Sequence, residues 1–527
     1  MTRSLLSVVT SAESSARDSA AIANGVPSRA LMQRAGAAAA GEIALRHRDR
    51  LDSGVLVVAG PGNNGGDAWV VAAALATAGA RVRVIEPVAA KTSDAQAERA
   101  SALRVLDAAR VESGLSLASF DRGEGLVVDG LLGTGATGAP RGDIATAIDA
   151  INAMRSRGAA VVALDVPSGL DASTGVGEGT IVTADLTLTF ATIKRGHLIN
   201  RDVCGTIAAL DIGLESYAND DALAPRLVDE PWVAAQIPAI AASAHKGTRK
   251  KLAIVGGAQG MAGATVLAAR AALRSGIGMV KLVVAPSSVA TIQEAEPYAL
   301  AGPWPRDERS VDEEIVKWAD AIVLGPGLGR SDESRAVLDL VLRCWRGPTL
   351  LDADAITLFE GRSADLAQAL GARAALLTPH PTEFARLAGS TTDRVLAERF
   401  EAATPIASAL SASVLLKGVP TIVTSSDGRR LVSAGGTAAL ATAGSGDVLS
   451  GIAGTLLAQL GDPFVAGAAA AWIHGRAAER VPSTGGASVR GTILDDVIAE
   501  LRGSWVFDSR PSRYPVLAEL ASLSAAR

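Results

Sequence analysis

The sequence has little of what disulfide-stabilised, nucleic-acid-binding or membrane proteins need. Its two cysteines, Cys204 and Cys344, are far apart and lack metal-type spacing, so neither a disulfide framework nor a zinc site is expected. A net charge of -5 gives no basic excess, which disfavours nucleic acid as a partner. No run reaches the roughly 20 apolar residues of a membrane span, and the stretch Leu5 to Val9 is too short for a signal-peptide core. We therefore expect a cytoplasmic protein that acts on small molecules.

The sequence is rich in glycine and in alternating strand and helix patterns. The 55 glycines exceed average usage and indicate many tight turns beside ligands. A chain of 527 residues is too long for one core and favours two large domains. From Gly54 onward, short β-branched runs alternate with alanine-rich segments, which is typical of βαβ units and a mostly parallel sheet. The predicted strands are Val55 to Ala59, Arg81 to Ile85, Leu126 to Asp129, Val161 to Asp165 and Leu186 to Phe190.

The alternation lapses and then resumes, which predicts two α/β domains. We place the first at residues 1–215 and a linker at 216–240, where Asn219 to Asp221 and several prolines break the periodicity. The second domain spans 241–503, and residues 504–527, with Pro511 and Pro515, form a C-terminal tail. The strands predicted in the second domain are Lys251 to Val255, Val280 to Ala285, Ala321 to Leu324, Thr349 to Asp352, Ala374 to Thr378 and Val414 to Lys417.

The first candidate site lies where the strand Val55 to Ala59 runs into the octet Gly60 to Asp67 and an alanine-rich helix. Glycine lets the backbone approach an anion closely, and the helix N-terminus offers unpaired N–H groups. The amides of Asn63 and Asn64 suit a ribose, a phosphate or a cation. A plain turn with a helix cap is the structural alternative, because Asn, Gly and Asp favour such places.

Two further strand ends in this half carry polar residues. Asp129 precedes the glycine-rich run Leu132 to Gly138, and Asp165 begins Asp-Val-Pro-Ser-Gly. Because parallel strands end at one edge of the sheet, Asn64, Asp129 and Ser168 are candidate oxygen ligands for a monovalent or divalent cation. Asp165 is a candidate acid or base. Each aspartate alone would equally fit a cap or a turn.

Lys194 follows the last strand of the first half, in Phe-Ala-Thr-Ile-Lys-Arg-Gly. It could neutralise a phosphate or assist proton transfer. A solvated surface lysine is the favoured interpretation, because lysine is rarely buried.

Together these motifs resemble the YjeF N-terminal family, whose members are NAD(P)H-hydrate epimerases. The likeness also covers Ala20 to Ser28 and Leu31 to Gly36. It implies that Asn64, Asp129 and Ser168 bind potassium and that Asp165 contacts the reacting ring. The residues implied to hold the hydrated nucleotide are Asn63, Asn64, Gly65, Gly66, Asp67, Gly133, Thr134, Gly135, Ala136, Thr137, Gly138, Ala139 and Asp165. Ala68 replaces the family's usual glycine, and we expect no loss of function, since helix propensity improves.

The second candidate site centres on Thr442 to Gly451, which opens another alanine-rich helix. A Gly-x-Gly turn at a helix N-terminus can cradle an anion, and Asp447 could take a proton from a hydroxyl beside a phosphoryl group. The alternative is a glycine-rich turn with an aspartate cap. The loops Lys417 to Thr421, Gly325 to Gly329 and Thr378 to Glu383 also follow strands. His380, between prolines, is either a binding group or an exposed loop histidine.

With His245 to Gly247 and Gly256 to Ala264, these loops resemble the ribokinase-like ADP-dependent NAD(P)H-hydrate dehydratases over about residues 245–500. The residues implied to contact the hydrated substrate are Ala264, Gly327, His380 and Asp447. Those implied for the adenine nucleotide are Lys417, Gly418, Val419, Pro420, Thr421 and Gly446, with ADP as co-substrate accompanied by Mg²⁺. Ser445, Thr382 and Thr248 stand where the family usually has Thr, Gly and Asp.

The resemblances imply two three-layer domains, an N-terminal Rossmann-like YjeF fold and a C-terminal ribokinase-like fold. The implied function is repair of hydrated NADH and NADPH. One half interconverts the R and S forms, and the other dehydrates the S form with ADP, giving AMP and phosphate. A small-molecule kinase joined to a non-catalytic binding module is the alternative, because Gly-x-Gly-Asp serves kinases equally. A homo-oligomer is expected.

Overall fold

The computed structural model describes residues 4–217, 223–481, 488–508 and 512–523. Within them the chain forms two compact units. The N-terminal unit contains residues 6–217 and 512–523, and the C-terminal unit contains 4–5, 223–481 and 488–508. Each unit is built on one mostly parallel sheet, so the predicted α/β class is confirmed. Asn219 to Asp221 and Pro511, on which the predicted linker and tail partly rested, lie outside the described residues.

The N-terminal unit has an eight-stranded sheet. Every neighbouring pair is parallel except the one between Val516–Leu520 and Thr206–Leu210. Alternate residues of Val55–Ala59 belong to two different apolar clusters, as the two faces of a buried strand require. In spatial order the strands are Val516–Leu520, Thr206–Leu210, Leu186–Phe190, Ala160–Leu164, Leu126–Gly130, Val55–Ala59, Val82–Glu86 and Val111–Ser113.

Helices cover both faces of this sheet, and local capping explains where several begin. The Thr10 side chain accepts a hydrogen bond from Glu13 N in a capping box, and the Thr92 side chain caps the helix Ser93–Ala102 by accepting one from Ala95 N. A short pair of strands, Val8–Val9 with Ile193–Lys194, is separate from the main sheet. The helices are Ser11–Ala23, Ser28–Arg46, Arg48–Leu51, Asn63–Thr77, Ser93–Ala102, Gly142–Ser156 and Arg195–Ile199.

The C-terminal unit has a ten-stranded sheet. Thr421–Thr424 is antiparallel to both of its neighbours, and all other pairs are parallel. The spatial order is Arg226–Leu227, Arg430–Ser433, Thr421–Thr424, Ser413–Leu416, Ala375–Leu377, Thr349–Leu351, Ala321–Leu324, Lys251–Val255, Met279–Val284 and Leu300–Pro303. The helices are Glu230–Gln236, Ala262–Arg274, Val289–Ala295, Glu308–Val311, Asp332–Cys344, Asp354–Thr357, Ser363–Leu370, Pro381–Ala388, Thr392–Ala397, Thr404–Leu410, Ser445–Leu460, Pro463–Arg480 and Leu494–Ser504.

The stretch expected to be a linker contributes ordered elements to the C-terminal unit. Arg226–Leu227 pairs with Arg430–Ser433 at the sheet edge. Glu230–Gln236 is a helix whose first turn contains Pro231, and the Asp229 side chain caps it from Trp232 N. Proline is tolerated there because N–H groups in the first turn of a helix have no internal acceptor, so the missing N–H of proline costs no hydrogen bond. A proline that suggested a break therefore starts a helix.

The stretch expected to be a tail contributes the edge strand Val516–Leu520 to the N-terminal unit. Ion pairs fix it against the helix Ser28–Arg46. Arg513 pairs with Glu42, whose side chain has 0% exposure, and Arg46 lies 2.6 Å from Glu519. None of the described helices is long and apolar enough to cross a membrane.

Removing residues 512–527 is expected to destabilise the N-terminal unit. The deletion exposes the edge of Thr206–Leu210 and leaves the buried Glu42 with Arg46 as its remaining ion-pair partner. We expect a loss of about 1 to 3 kcal/mol, the scale of removing one hydrogen-bond partner from a buried polar group, seen as faster amide hydrogen exchange in Thr206–Leu210. Removing only residues 524–527 is the matched control. Equal exchange rates in the two truncated chains would contradict the prediction.

Two candidate active sites

A cavity of about 470 Å³ lies at the carboxyl edge of the N-terminal sheet. Its walls come from the segments that follow several parallel strands and from the first two helices, as expected for an open α/β sheet. The residues predicted from the sequence that line it are Asn63, Asn64, Asp67, Gly133, Thr134, Gly135, Ala136 and Asp165. Thr137, Gly138 and Ala139 do not line it, because the loop turns away towards a smaller cavity of about 170 Å³ that includes Gly138.

Gly65 and Gly66 lie behind the cavity wall and serve close packing. A Cβ on Gly65 would sit 1.8 Å from the carbonyl oxygen of Gly60, and one on Gly66 would sit 2.4 Å from the Met32 sulfur. These glycines let the helix Asn63–Thr77 approach its neighbours closely. They do not themselves face the cavity.

Asn64, which lines this cavity, lies close to Ser168 and Asp129, because Asn64 Nδ2 and Ser168 Oγ both donate to the Leu132 carbonyl oxygen. The Asp129 carboxylate accepts hydrogen bonds from Ser168 N at 2.9 Å and Ser168 Oγ at 2.6 Å. Burial raises the pKa of Asp129 to about 6, against the opposing effect of these hydrogen bonds. The Asn64 amide nitrogen donates to the carbonyl oxygens of Leu132 and Leu164. Asn64 Oδ1 is buried and has no hydrogen-bond partner among the described residues, which is costly unless something else binds it.

Asp165 forms a buried ion pair with Lys194 at the cavity wall. Lys194 Nζ lies 2.5 Å from Asp165 Oδ1 and 2.7 Å from Thr189 Oγ1, and Thr134 N donates to Asp165 Oδ2. Burial alone would raise the pKa of Asp165, but Lys194 outweighs it and the pKa lies below its ordinary value. The interpretation of Lys194 as a solvated surface residue is wrong, since it is 1% exposed. The carboxylate of Asp165, 29 residues away in the sequence, supplies the negative charge that offsets the cost of burying this ammonium group.

His197, which the sequence analysis did not consider, joins the two residues of this pair. Its Nδ1 accepts from Lys194 N at 3.3 Å, and its Nε2 lies 2.9 Å from the Asp165 carbonyl oxygen. Burial lowers the pKa of His197 to about 3, so the ring is neutral. Asp165 itself has a φ of 62°, an unusual backbone conformation for a non-glycine residue, and His197 helps to hold it. In the sequence, only the position of His197 three residues after Lys194 pointed to a role in this site.

In the C-terminal unit, Lys417 lies at the centre of the second candidate site. Its Nζ is 2.9 Å from Asp352 Oδ1 and 4.0 Å from Glu383 Oε2, and Ser450 Oγ donates to Asp352 Oδ2 at 2.7 Å. Burial lowers the pKa of Lys417, but Asp352 and Glu383 outweigh this and raise it above its ordinary value. Lys417 is therefore a fixed positive charge next to Gly446, whose Cβ would lie 3.1 Å from Nζ.

Asp447 stands at the N-terminus of Ser445–Leu460 with its carboxylate uncommitted. The helix is preceded by Gly444, with φ 93°, and has no side-chain capping hydrogen bond, so the alternative of an aspartate cap is excluded. The carboxylate has no hydrogen-bond partner among the described residues. Burial, followed by the nearby charge of Asp352, raises the pKa of Asp447 to about 7. A group with this pKa can take up or release a proton near neutral pH.

The remaining predicted substrate contacts lie on a loop, at a helix N-cap and in the first turn of a helix, each following a strand of the same sheet. Gly327 packs against Ala264, because a Cβ at Gly327 would lie 3.1 Å from that of Ala264. His380 caps the helix Pro381–Ala388, with Nδ1 accepting from Thr382 N and Glu383 N. His380 is half-exposed, and its Nε2 lies 3.4 Å from Glu383 Oε1. The two interpretations, a binding group or an exposed loop histidine, both leave out this capping role.

Asp352, Glu383 and Ser450 are members of this second cluster that the sequence analysis missed. Asp352 directly follows the strand Thr349–Leu351, so the rule applied to Asp129 and Asp165 would have singled it out. Glu383 and Ser450 lie on the helices Pro381–Ala388 and Ser445–Leu460, inside motifs that were recognised for other residues. The described residues contain no group of three or more His, Cys, Asp or Glu side chains that could hold a metal ion.

The three residues that depart from the family patterns, Ser445, Thr248 and Thr382, each form a local hydrogen bond. Ser445 Oγ lies 3.5 Å from His474 Nε2, and Thr248 Oγ1 donates to the His245 carbonyl oxygen at 2.9 Å. Thr382 Oγ1 is 3.4 Å from Thr392 Oγ1. None of the three leaves its hydroxyl unpaired.

Sequence comparison gives two family matches and full-length relatives. Residues 28–196 match the family described as YjeF-related protein N-terminus, and residues 252–500 match NAD(P)H-hydrate dehydratase. A bifunctional NAD(P)H-hydrate repair enzyme of Salinibacter ruber is 38% identical over 87% of this chain and 89% of its own length. That of Escherichia coli K12 is 34% identical over 85% and 84%, and that of Leishmania braziliensis is 33% identical over 92% and 91%.

Solved structures similar to part of this chain include an ADP/ATP-dependent NAD(P)H-hydrate dehydratase from Bacillus subtilis co-crystallised with ATP and Mg²⁺. It is 28% identical, with a TM-score of 0.46, and covers 53% of this chain and 96% of its own. A ribokinase-like superfamily protein from Enterococcus faecalis is 22% identical, with a TM-score of 0.47, over 55% and 96%.

Proposed function

The chain belongs to the family of bifunctional NAD(P)H-hydrate repair enzymes, and we propose from this premise how its two sites divide the work. The N-terminal unit interconverts the R and S epimers of hydrated NADH and NADPH. The C-terminal unit dehydrates the S epimer at the expense of ADP. An epimerase in the same chain is useful because a stereospecific dehydratase alone would leave the other epimer untouched.

We assign Asp165 as the base of the epimerase site. It lines the cavity, and Lys194 holds its carboxylate in the ionised form that can accept a proton. Epimerisation at C6 of the hydrated ring requires a bond to that carbon to break and re-form, and a proton must leave oxygen on the way. An ionised carboxylate at the cavity wall meets this need.

A potassium ion fits the cluster of Asn64, Asp129 and Ser168. The buried Asn64 Oδ1 has no hydrogen-bond partner among the described residues, and Asp129 and Ser168 add the hard oxygen atoms that such cations prefer. We propose that these three residues hold K⁺. When bound, the ion supplies a fixed positive charge next to the nucleotide. Asn64 would also position the start of the helix Asn63–Thr77, whose Asp67 lines the cavity.

Replacing K⁺ with choline at constant ionic strength is expected to slow epimerisation several-fold, because Asn64 Oδ1 and Asp129 lose their compensating charge. The rate is followed by separating the two epimers chromatographically. Ser168→Ala should raise the K⁺ concentration needed for half-maximal rate. Thr180→Ala, on an exposed hydroxyl that bonds Asp149, is the control. Identical rates in K⁺ and choline would contradict the assignment.

For the dehydratase site we propose that Asp447 takes the proton of the C6 hydroxyl. The oxygen then accepts the β-phosphoryl group of ADP, which leaves AMP. The ring nitrogen lone pair expels phosphate, and loss of the C5 proton restores the dihydronicotinamide. Lys417 and the N-terminus of Ser445–Leu460 provide positive potential for the phosphates. With no metal cluster among the described side chains, Mg²⁺ would arrive bound to the nucleotide phosphates.

The observation that carries this proposal is the uncommitted Asp447 carboxylate beside the Lys417–Asp352 pair at a helix N-terminus. The same arrangement would serve a small-molecule kinase, and the attached epimerase unit favours the dehydratase over the kinase.

The test is to supply the full chain with a mixture of both hydrate epimers. With ADP, all of the hydrate should return to NADH with equimolar AMP and phosphate. Without ADP, the epimer ratio alone should relax. A phosphorylated product that accumulates without NADH would establish the kinase instead.

The partners proposed are therefore hydrated NADH, hydrated NADPH and the ADP/AMP pair. A homo-oligomer and a cytoplasmic location stay predictions. We further propose that the epimerase domain consists of residues 6–217 together with the edge strand Val516–Leu520.

A further inference from the structure

Two carboxyl groups on the wall of the N-terminal cavity have opposite surroundings. Asp165 accepts hydrogen bonds from Lys194 and from Thr134 N. Asp67, on the helix Asn63–Thr77, lines the same cavity but has no hydrogen-bond or ion-pair partner among the described residues. One carboxylate is neutralised by the protein, and the other is not.

The charges around Asp67 favour its protonated form. Burial raises the pKa of Asp67 well above its ordinary value, and the negative charges of Asp165 and Asp18 add to this, against a smaller lowering by Lys194. Burial also raises the pKa of Asp18. The charged groups that line the cavity are Arg17, Asp18, Asp67, Asp94, Asp165 and Lys194, and His197, neutral, lies behind Asp165.

We propose, on the basis of the proposed epimerase function, that Asp67 is the general acid that works together with the base Asp165 in this cavity. The site contains two acidic side chains in different surroundings. The one compensated by a cation, Asp165, is suited to act as the base, and the one without a partner among the described residues, Asp67, is suited to act as the acid. Asp67 is the only one of the two that can arrive at the substrate carrying a proton.

The chemistry balances without any further reactant. Asp67 gives its proton to the C6 hydroxyl, and the C6–O bond breaks with loss of water while the N1 lone pair forms an N1=C6 double bond. C6 is then planar, so water can add to either face. The adding water forms the new C6–O bond and gives its proton to Asp165. One water has left, one has been added, and a proton has moved from Asp67 to Asp165, from where it returns to Asp67 through solvent.

The first test is Asp67→Asn in the full chain. It keeps the side-chain shape but cannot donate the proton, so kcat for epimerisation should fall by about 10²- to 10⁴-fold, with KM little changed. Asp67→Glu should restore part of the rate. Dehydration of pure S hydrate with ADP reports on the second site of the same molecule, and binding of the hydrate to the variant reports on folding of the first.

Asp18→Asn tests the rival acid, since Asp18 shares the cavity and a raised pKa. Asp149→Asn, at an exposed carboxylate that accepts a hydrogen bond from Thr180, is the control and should keep the full rate. A loss of rate in Asp18→Asn with none in Asp67→Asn would overturn the proposal, as would a change in KM alone for Asp67→Asn. If the unaltered chain does not epimerise the hydrate, the proposed function fails. If it does and Asp67→Asn does so equally well, only this inference fails.

The second test is epimerisation in water enriched in ¹⁸O. The mechanism predicts that each inverted molecule carries one solvent oxygen at C6, measured by mass spectrometry after subtraction of spontaneous exchange. Inversion with the original oxygen retained would mean that the C6–N1 bond opens instead, and would overturn the proposal.

Discussion

Asp447→Asn is expected to lower ADP-dependent dehydration by about 10²- to 10⁴-fold, the usual contribution of a positioned general base. The amide cannot accept the C6 hydroxyl proton, and the change leaves the Lys417–Asp352 pair intact, so ADP binding should persist. The rate is read from the appearance of NADH absorbance with pure S hydrate. Asp427→Asn, on an exposed turn where Asp427 pairs with Arg429, is the control and should be neutral.

The pH dependence of the same step follows from the environment of Asp447. Its pKa is about 7, and a base must be ionised to act. The value of kcat/KM for dehydration should therefore fall as the pH drops below about 7, approaching a tenfold loss per pH unit, and level off above it. Asp447→Asn should abolish this acidic limb. A profile that stays flat down to pH 5.5 would remove Asp447 from the role of base.

Asp165→Asn is expected to lower the rate of epimerisation by about 10²- to 10⁴-fold, as Asp447→Asn lowers the rate of dehydration. The same change leaves the buried Lys194 ammonium without its ion-pair partner, which should cost about 3 to 5 kcal/mol of stability. Loss of rate in this variant alone could therefore reflect unfolding. The epimer ratio with time and the unfolding of the N-terminal unit must be measured on the same samples.

The double variant Asp165→Asn/Lys194→Met separates the two effects. It removes both charges, so the stability lost in Asp165→Asn should largely return, while epimerisation stays absent. Lys194→Arg keeps a cation beside Asp165 and should retain more activity than Lys194→Met. If the double variant regains epimerisation together with stability, Asp165 is a structural residue and not the base.

Local sequence was enough to locate both sites because each lies at a strand–turn–helix junction. The strand predicted at Leu186 to Phe190 has those bounds in the structure, and Val161 to Asp165 is offset by one residue from Ala160–Leu164. Alternating apolar runs and glycine-rich turns are local signals, and helix and strand periodicity can be read within one segment. Asp165 and Asp447 were found for this reason.

The order along the chain did not reveal which side chains are buried together. Asp352 and Ser450 are hydrogen-bonded across 98 residues, and Asp352 was noticed only as the end of a strand. Asp447 has a pKa near neutrality because of burial and of Asp352, neither of which its own motif encodes. The protonation state of a group depends on its neighbours in space and on its distance from water.

The sequence by itself determined the class of each domain, the loops that form the two sites and the family to which they belong. Only the tertiary structure decided that Lys194 is a buried partner of Asp165, and that Asp67, which has no partner among the residues the structure describes, shares its cavity. It also decided that Val516–Leu520 closes the edge of a sheet formed by the first part of the chain. Strand pairing and charge compensation are long-range interactions, and a local pattern carries no information about which distant segment will supply the partner.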